Sequence, residues 1–302
     1  MASCATGPRI DEVRFPAMGT SAHLLVVGGD PTLLGDARER IITLEATWSR
    51  FVETSEVSAL NRGGAHHVSS DTWLLITKAI AGWERTAGRF DPTVHDAVIA
   101  AGYPGGPTGS RSGMSQPSPG CAGIRIDHDA RIIEFPDGVR FDPGGIGKGL
   151  AADLVTAELL NAGASGALVS LGGDLRVRGE SPRGGAWTVD LAEPHVAPSR
   201  IARLVLSDGA VATSTTERRR WTTTDGAHRH HLIDPVTGRP HDRSIRFASV
   251  ITRDGWWAEA CAKQLFVVPP CEVDNCLIDA EGIVVDADMV THRSAGFERF
   301  ER

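Results

Sequence analysis

Two spacings of apolar positions divide this chain into strands and helices. Residues 13–28 (VRFPAMGTSAHLLVVG) read as two short strands around a Met18-Gly19-Thr20 turn. After Pro31, Leu33, Leu34, Ala37, Ile41, Leu44 and Trp48 recur at helical spacing and predict an amphipathic helix. A second helix is predicted from Asp71, as its N-cap, through Trp73, Leu74, Ile76, Ile80 and Trp83 to Gly88. The stretch 123–135 (GIRIDHDARIIEF) reads as a hairpin turning at Asp-His-Asp. A glycine-rich turn at 142–149 then feeds a helix that runs to about Leu160.

Strand-like stretches follow at Ala167–Ser170, Asp174–Arg178, Trp187–Leu191, Ile201–Leu206, His230–Ile233 and Phe247–Thr252. One more helix starts near Trp256 and leads into the apolar run LFVV. Strands outnumber helices and do not alternate with them regularly. The expected architecture is therefore α+β with mostly antiparallel sheet, not a doubly wound nucleotide fold. Residues 104–123, rich in Gly, Pro and Ser, read as a long mobile loop, and no repeat of fixed period is present.

Composition narrows the function classes. With 302 residues, 41% of them hydrophobic and 23% charged, the chain suits one large domain or two intimately joined lobes. The net charge of −7 argues against nucleic acid or an anionic membrane as the main partner. Its five cysteines are scattered without a CxxC pair, so neither a disulfide framework nor a zinc site is suggested. The first residues lack the apolar run of a signal peptide, and nowhere are there roughly 18 consecutive apolar residues. The expectation is a cytoplasmic, soluble chain without membrane insertion.

Several stretches carry candidate chemistry. FDPGGIGKG (141–149) precedes a helix, and its turn could aim backbone N–H groups at a phosphate beside Lys148; a plain tight turn fits the spacing equally. SLGGDLRVRG (170–179) reads as ordinary Gly-Gly-Asp turn chemistry. ATSTTERRRW (212–221) sets hydroxyls beside arginines, as a phosphate or ribose site or a surface loop would. Among the histidines of HRHHLIDPVTGRP (228–240), His231 fits a structural or acid–base role better than a zinc ligand. FDPTVHDAV (90–98) repeats the Phe-Asp-Pro of 141–143, and either Asp could cap a helix or accept a ligand's hydrogen bonds.

Order and company give these stretches more weight than each has alone. AMGT (17–20), SRFVETSEVSALN (49–61), GRFDPTVHDAV (88–98), FDPGGIGKGLAAD (141–153), SLGGDLRVRG, ATSTTERRR, HLIDPVTGRP (231–240) and WAEACAKQLFV (257–267) together resemble the ApbE family, the FAD:protein FMN transferases. The resemblance implies a bilobed α+β body that binds FAD as substrate and passes FMN to a Ser or Thr hydroxyl of an acceptor protein, releasing AMP. It implies that Met18, Phe51, Phe90, Asp91 and Lys148 line the FAD site, that Thr213, Ser214, His231 and Ile233 close over it, and that His231 and Lys148 serve catalysis.

Position 51 is commonly Tyr in the family; Phe51 keeps the ring and loses the hydroxyl. The family's Mg²⁺ would be held by the carbonyl of about Gly145 and by side chains of a D-A-x-x-T helix start. Here that start is Ala258-Glu259-Ala260-Cys261-Ala262-Lys263. Glu259 could still coordinate a metal, but Lys263 has no lone pair to offer and replaces the usual third ligand. Glu259 and Lys263 are i, i+4 on one helix face and could pair directly, the Lys263 ammonium standing where the metal would; the alternative turns Lys263 to solvent and leaves Mg²⁺ weakly bound. Two alternatives follow from that departure: an FAD-binding protein without catalysis, or an FAD diphosphatase giving FMN and AMP.

Overall fold

The computed structural model of the chain describes residues 7–103, 115–193, 200–223, 226–242 and 244–302. Its centre is an eight-stranded sheet: β1 (Ile10–Ala17), β2 (Thr20–Val27), β3 (Gly166–Leu171), β4 (Asp174–Gly179), β5 (Gly209–Thr215), β6 (Ile245–Thr252), β7 (Glu281–Asp286) and β8 (Thr291–Arg293). Neighbours in the sheet are successive in the chain, and every pairing is antiparallel. The sheet is thus a meander whose connections have grown helices and hairpins, as the α+β expectation required.

Alternation along the strands gives the sheet two buried faces. On one, Leu24 and Val26 of β2, Val169 and Leu171 of β3, and Ala248 and Val250 of β6 pack beneath helices α1 (Leu33–Trp48), α3 (Gly147–Asn161) and α4 (Gly255–Gln264), with α2 (Ser70–Arg85) beyond them. On the other, Val177, Val211, Phe247, Ile251 and Ile283 pack against a hairpin of Trp187–Leu191 and Ala202–Leu206 and against Phe297.

Helix α1 buries the stripe Leu33, Ala37, Ile41, Leu44 and Trp48 that its spacing predicted. Helix α2 differs. Its cap is Ser69, whose hydroxyl accepts from the Thr72 N–H, while Asp71 takes Arg40 at 2.6 and 2.8 Å. The helix ends at Arg85, short of Gly88, because Ala87 turns left-handed with a φ of 51° and the Gly88 N–H returns to the Trp83 carbonyl at 2.8 Å. It buries Thr72, Leu75, Ile76, Ala79 and Gly82, leaving Trp73, Leu74, Ile80 and Trp83 half-buried.

The 125–135 hairpin forms and gains a third strand, Gly64–His67. His230–Ile233 is not one strand: His228–His230 and Ile233–Asp234 pair with different partners and the chain breaks direction at His231. Of the glycine-rich stretch 104–123, residues 104–114 lie outside the described residues. Its remainder is anchored: the Ser118 N–H donates to the Pro235 carbonyl at 2.8 Å, the Gly120 N–H to Thr93 Oγ1 at 3.0 Å, and Cys121 is buried.

Helices α3 and α4 touch through backbone. A Cβ placed on Gly149 would lie 2.2 Å from the Gly255 carbonyl oxygen, so no larger residue is admitted there. Asp153 of α3 caps α4 across this crossing, accepting from the N–H groups of Gly255 at 2.7 Å and Trp256 at 3.0 Å.

Candidate active site

A cleft of about 460 Å³ opens between the Met18-Gly19 turn, the end of α1, the two Phe-Asp-Pro segments, the start of α3, and residues 231–235. Each wall has a local cause. Met18 takes a left-handed φ of 51°, which reverses the chain between β1 and β2 and sets the side chain on the cleft. The Phe-Asp-Pro segments are tied together by the Asp142 N–H donating to the Pro92 carbonyl at 2.8 Å. Buried Asn61 clamps Phe141 from both sides: its amide donates to the Phe141 carbonyl at 2.9 Å and its oxygen accepts the Phe141 N–H at 2.7 Å.

Phe90 lies beneath Gly145, where a Cβ would come within 2.9 Å of the ring. Asp91 accepts from the N–H and hydroxyl of Thr93 at 2.7 and 2.6 Å; burial nevertheless pushes its carboxyl above the usual range. Phe51, 51% exposed, stands at the mouth with the Arg50 guanidinium 4.3 Å from its ring centroid. That guanidinium also pairs with Asp142 at 3.1 Å.

The opposite end of the cleft is cationic. Lys148 sits between Asp174, at 2.7 Å, and Glu259. The second oxygen of Glu259 accepts the Gly149 N–H at 2.9 Å. Lys263, on the same side of the sheet, donates to the Ser214 hydroxyl at 2.8 Å. Its stem runs past Gly145, with Cγ 3.7 Å from where a Cβ would be. The Glu259–Lys263 pair that their spacing allows gives way to Lys148, which reaches the carboxylate from the neighbouring helix.

Comparison with known proteins decides what kind of cleft this is. The family model described as the ApbE family matches residues 18–283. The chain belongs to the ApbE family. A curated relative from Vibrio cholerae named FAD:protein FMN transferase is 24% identical over 99% of this chain and 93% of its own length. One of the same name from Treponema pallidum is 27% identical over 88% of this chain and 81% of its own. The crystal structure of an ApbE protein from Thermotoga maritima superposes with a TM-score of 0.87 at 27% identity, covering 97% of this chain and 100% of that one.

Within this ApbE framework the anticipated residues separate into two groups. Met18, Phe51, Phe90, Asp91, Gly145, Lys148, His231, Ile233 and Lys263 line the cleft. Ser214 and Glu259 are buried behind it, and touch it through Lys263 and Lys148. Thr213 points to the other face of the sheet, where its hydroxyl meets Ser249 at 3.0 Å; only its N–H, bonded to Asp174 at 2.9 Å, serves the site.

Electrostatics follow from burial and these pairings. Burial opposes the charge on Lys148, but Asp174 and Glu259 outweigh it and hold the ammonium above its ordinary pKa. Lys263 has no carboxylate of its own, and burial pulls its pKa down. His231 is half-buried, with Nδ1 sealed from solvent and unpartnered among the described residues. Burial first, and the cations Lys263 and Arg219 next, hold its imidazole neutral far below the usual 6.5.

The residues of the family's metal position do not fit a divalent cation here. Both Glu259 oxygens are engaged, Lys263 is a cation, and only the Gly145 carbonyl would remain. Among the described residues no group of three His, Cys, Asp or Glu is placed to hold a metal.

Sequence reasoning missed Arg50, Asp174 and Tyr103 of this site or its supports; Asp142 was anticipated as a cap or ligand acceptor, and Arg219 only as one of a run of arginines. Asp174 carried a faint signal, since Gly-Gly-Asp opens β4 with two glycines of positive φ, which turn the carboxylate toward α3. Tyr103, the only tyrosine in the chain, carried none.

Proposed function

We propose that the cleft binds FAD and that the chain transfers FMN from it to a Ser or Thr hydroxyl of an acceptor protein. The observation that carries this reading is one cleft with an aromatic and apolar half (Met18, Phe51, Phe90, Ile233) and a cationic half (Lys148, Lys263, Arg219), meeting at a neutral histidine. Rings suit the isoalloxazine and adenine, and fixed cations suit the diphosphate. The acceptor oxygen bonds the FMN-side phosphorus, the anhydride P–O bond breaks, and AMP leaves with its electron pair. His231 takes the hydroxyl proton, which a neutral imidazole can do at pH 7. Lys148, held between Asp174 and Glu259, orders the loop at the start of α3.

FAD binding without transfer is the second reading, favoured by the occupied carboxylate of Glu259. Incubating the protein with FAD and separating the products distinguishes the readings. Flavin covalently attached to an acceptor bearing an exposed Ser/Thr segment is the expected result. FAD recovered intact would leave a binding protein; free FMN with AMP would mean water had replaced the acceptor. Loss of affinity for FAD altogether would end the proposal. No helix among the described residues is long and apolar enough to cross a membrane.

A further inference from the structure

The three cations at the polar end of the cleft are not equivalent. Lys148 is already neutralised by Asp174 and Glu259. Lys263 bonds only the Ser214 hydroxyl. Arg219 has no ion-pair or hydrogen-bond partner among the described residues, although its neighbours do: Arg218 pairs with Glu193 at 3.1 Å and Arg220 with Glu217 at 2.7 Å. Arg219 also holds a left-handed φ of 49°, a conformation unfavourable for a side chain of its kind. That backbone turn separates it from its neighbours' carboxylates and brings its Nη2 within 3.9 Å of where a Cβ on Gly19 would be, over the Met18-Gly19 wall.

Two cations without a directly paired carboxylate therefore face one cleft, the Lys263 stem filling the space beside the Gly145 backbone. Such charges repel unless an anion joins them. The diphosphate of a dinucleotide carries one negative charge on each phosphate, matching the two cations in number. The carboxylates that could recruit a metal instead are spent on Lys148.

We propose that Lys263 and Arg219 neutralise the diphosphate of the bound dinucleotide in place of a divalent cation. The inference deepens the FAD reading and rests on it. Arg219 supplies planar, bidentate contact to phosphate oxygens from beside the Met18-Gly19 turn, and Lys263 a point charge from α4.

Flavin fluorescence titrations of the full chain test it, with FAD and with riboflavin, in EDTA and in millimolar Mg²⁺. The expected FAD affinity is the same in both buffers within about twofold. Lys263→Met and Arg219→Gln should each weaken FAD by about tenfold or more, the scale of a lost charged hydrogen bond, and leave riboflavin binding unchanged. Arg219 is exposed, so its variant folds irrespective of how Lys263→Met behaves. FAD binding that needs Mg²⁺, or variants that lose riboflavin as much as FAD, would overturn the proposal while leaving the flavin cleft intact. If FAD binds in neither buffer, the flavin reading itself falls.

Discussion

Lys148 is the residue whose surroundings leave it least freedom. Its ammonium holds two buried carboxylates, Asp174 and Glu259, and burial pushes Glu259 above its ordinary pKa even with the lysine present. Lys148→Met should cost about 3–5 kcal/mol at neutral pH, the penalty of stranding buried charge. Because the stranded carboxylates would then have raised pKa values, the loss should shrink on acidification as they take up protons. Urea unfolding at pH 7 and at pH 5 reads both; an equal loss at the two values would show that the pair was not charged. His231 supplies the opposite sign. Its folded pKa is depressed, so below about 6.5 the unfolded chain binds a proton that the folded chain refuses, and stability falls as pH drops. His231→Gln should flatten that decline by up to about 1.4 kcal/mol per pH unit. A parent and variant with parallel profiles between pH 6.5 and 5 would contradict the neutral imidazole. Motif order did mark Lys148, Glu259, Lys263 and His231 in advance. It could not give the exchange of partners, because Glu259 and Lys148 are 111 residues apart and their pairing belongs to the helix crossing, not to local spacing.

At the scale of elements, α4 depends on a side chain from another helix. Its own N-cap, Asp254, makes no side-chain cap bond, and Asp153 accepts the first two free N–H groups instead. Burial lifts the Asp153 carboxyl to about 7 against those donors and against Arg176. Asp153→Ala should therefore destabilise the chain by about 1–2 kcal/mol, in the range of a lost helix cap. It should also loosen α4, seen as faster hydrogen exchange at Gly255 and Trp256. Unchanged exchange would mean that water caps the helix as well. The sequence showed α1 almost completely, since its core stripe is a property of one helix alone. Strand β5 was hidden, because Thr213, Ser214 and Thr215 look like loop chemistry. Only their cross-strand partners Ser249, Ala248 and Phe247 make them sheet. The same reason broke the strand expected over His230–Ile233, whose two halves answer to different hairpins.

For the whole molecule, the cleft gathers residues from Met18 to Lys263, so a ligand there bridges the β1–β2 turn and the helices α1, α3 and α4. Binding that selects the folded state adds RT ln(1 + [L]/Kd), about 2.7 kcal/mol at a hundredfold excess over Kd. FAD should raise the melting temperature in proportion to the logarithm of its concentration, and riboflavin should raise it less. A thermal shift equal for the two would place the diphosphate outside the cationic end. The global architecture was legible because the alternation of apolar residues along each strand survives in any register, whereas the cleft depends on which loops meet across it.

The glycine crossing of α3 and α4 has a consequence for how this protein changes over time. Because Gly149 and Gly255 meet without side chains, the two helices approach as closely as main chain allows, and Asp153 and Glu259 tie the joint from either side. Lys263, eight residues beyond Gly255 and bonded to Ser214, is not part of that joint and can be exchanged without altering how the helices seat. Such a joint lets lineages trade one means of holding an anion for another while the frame stays put.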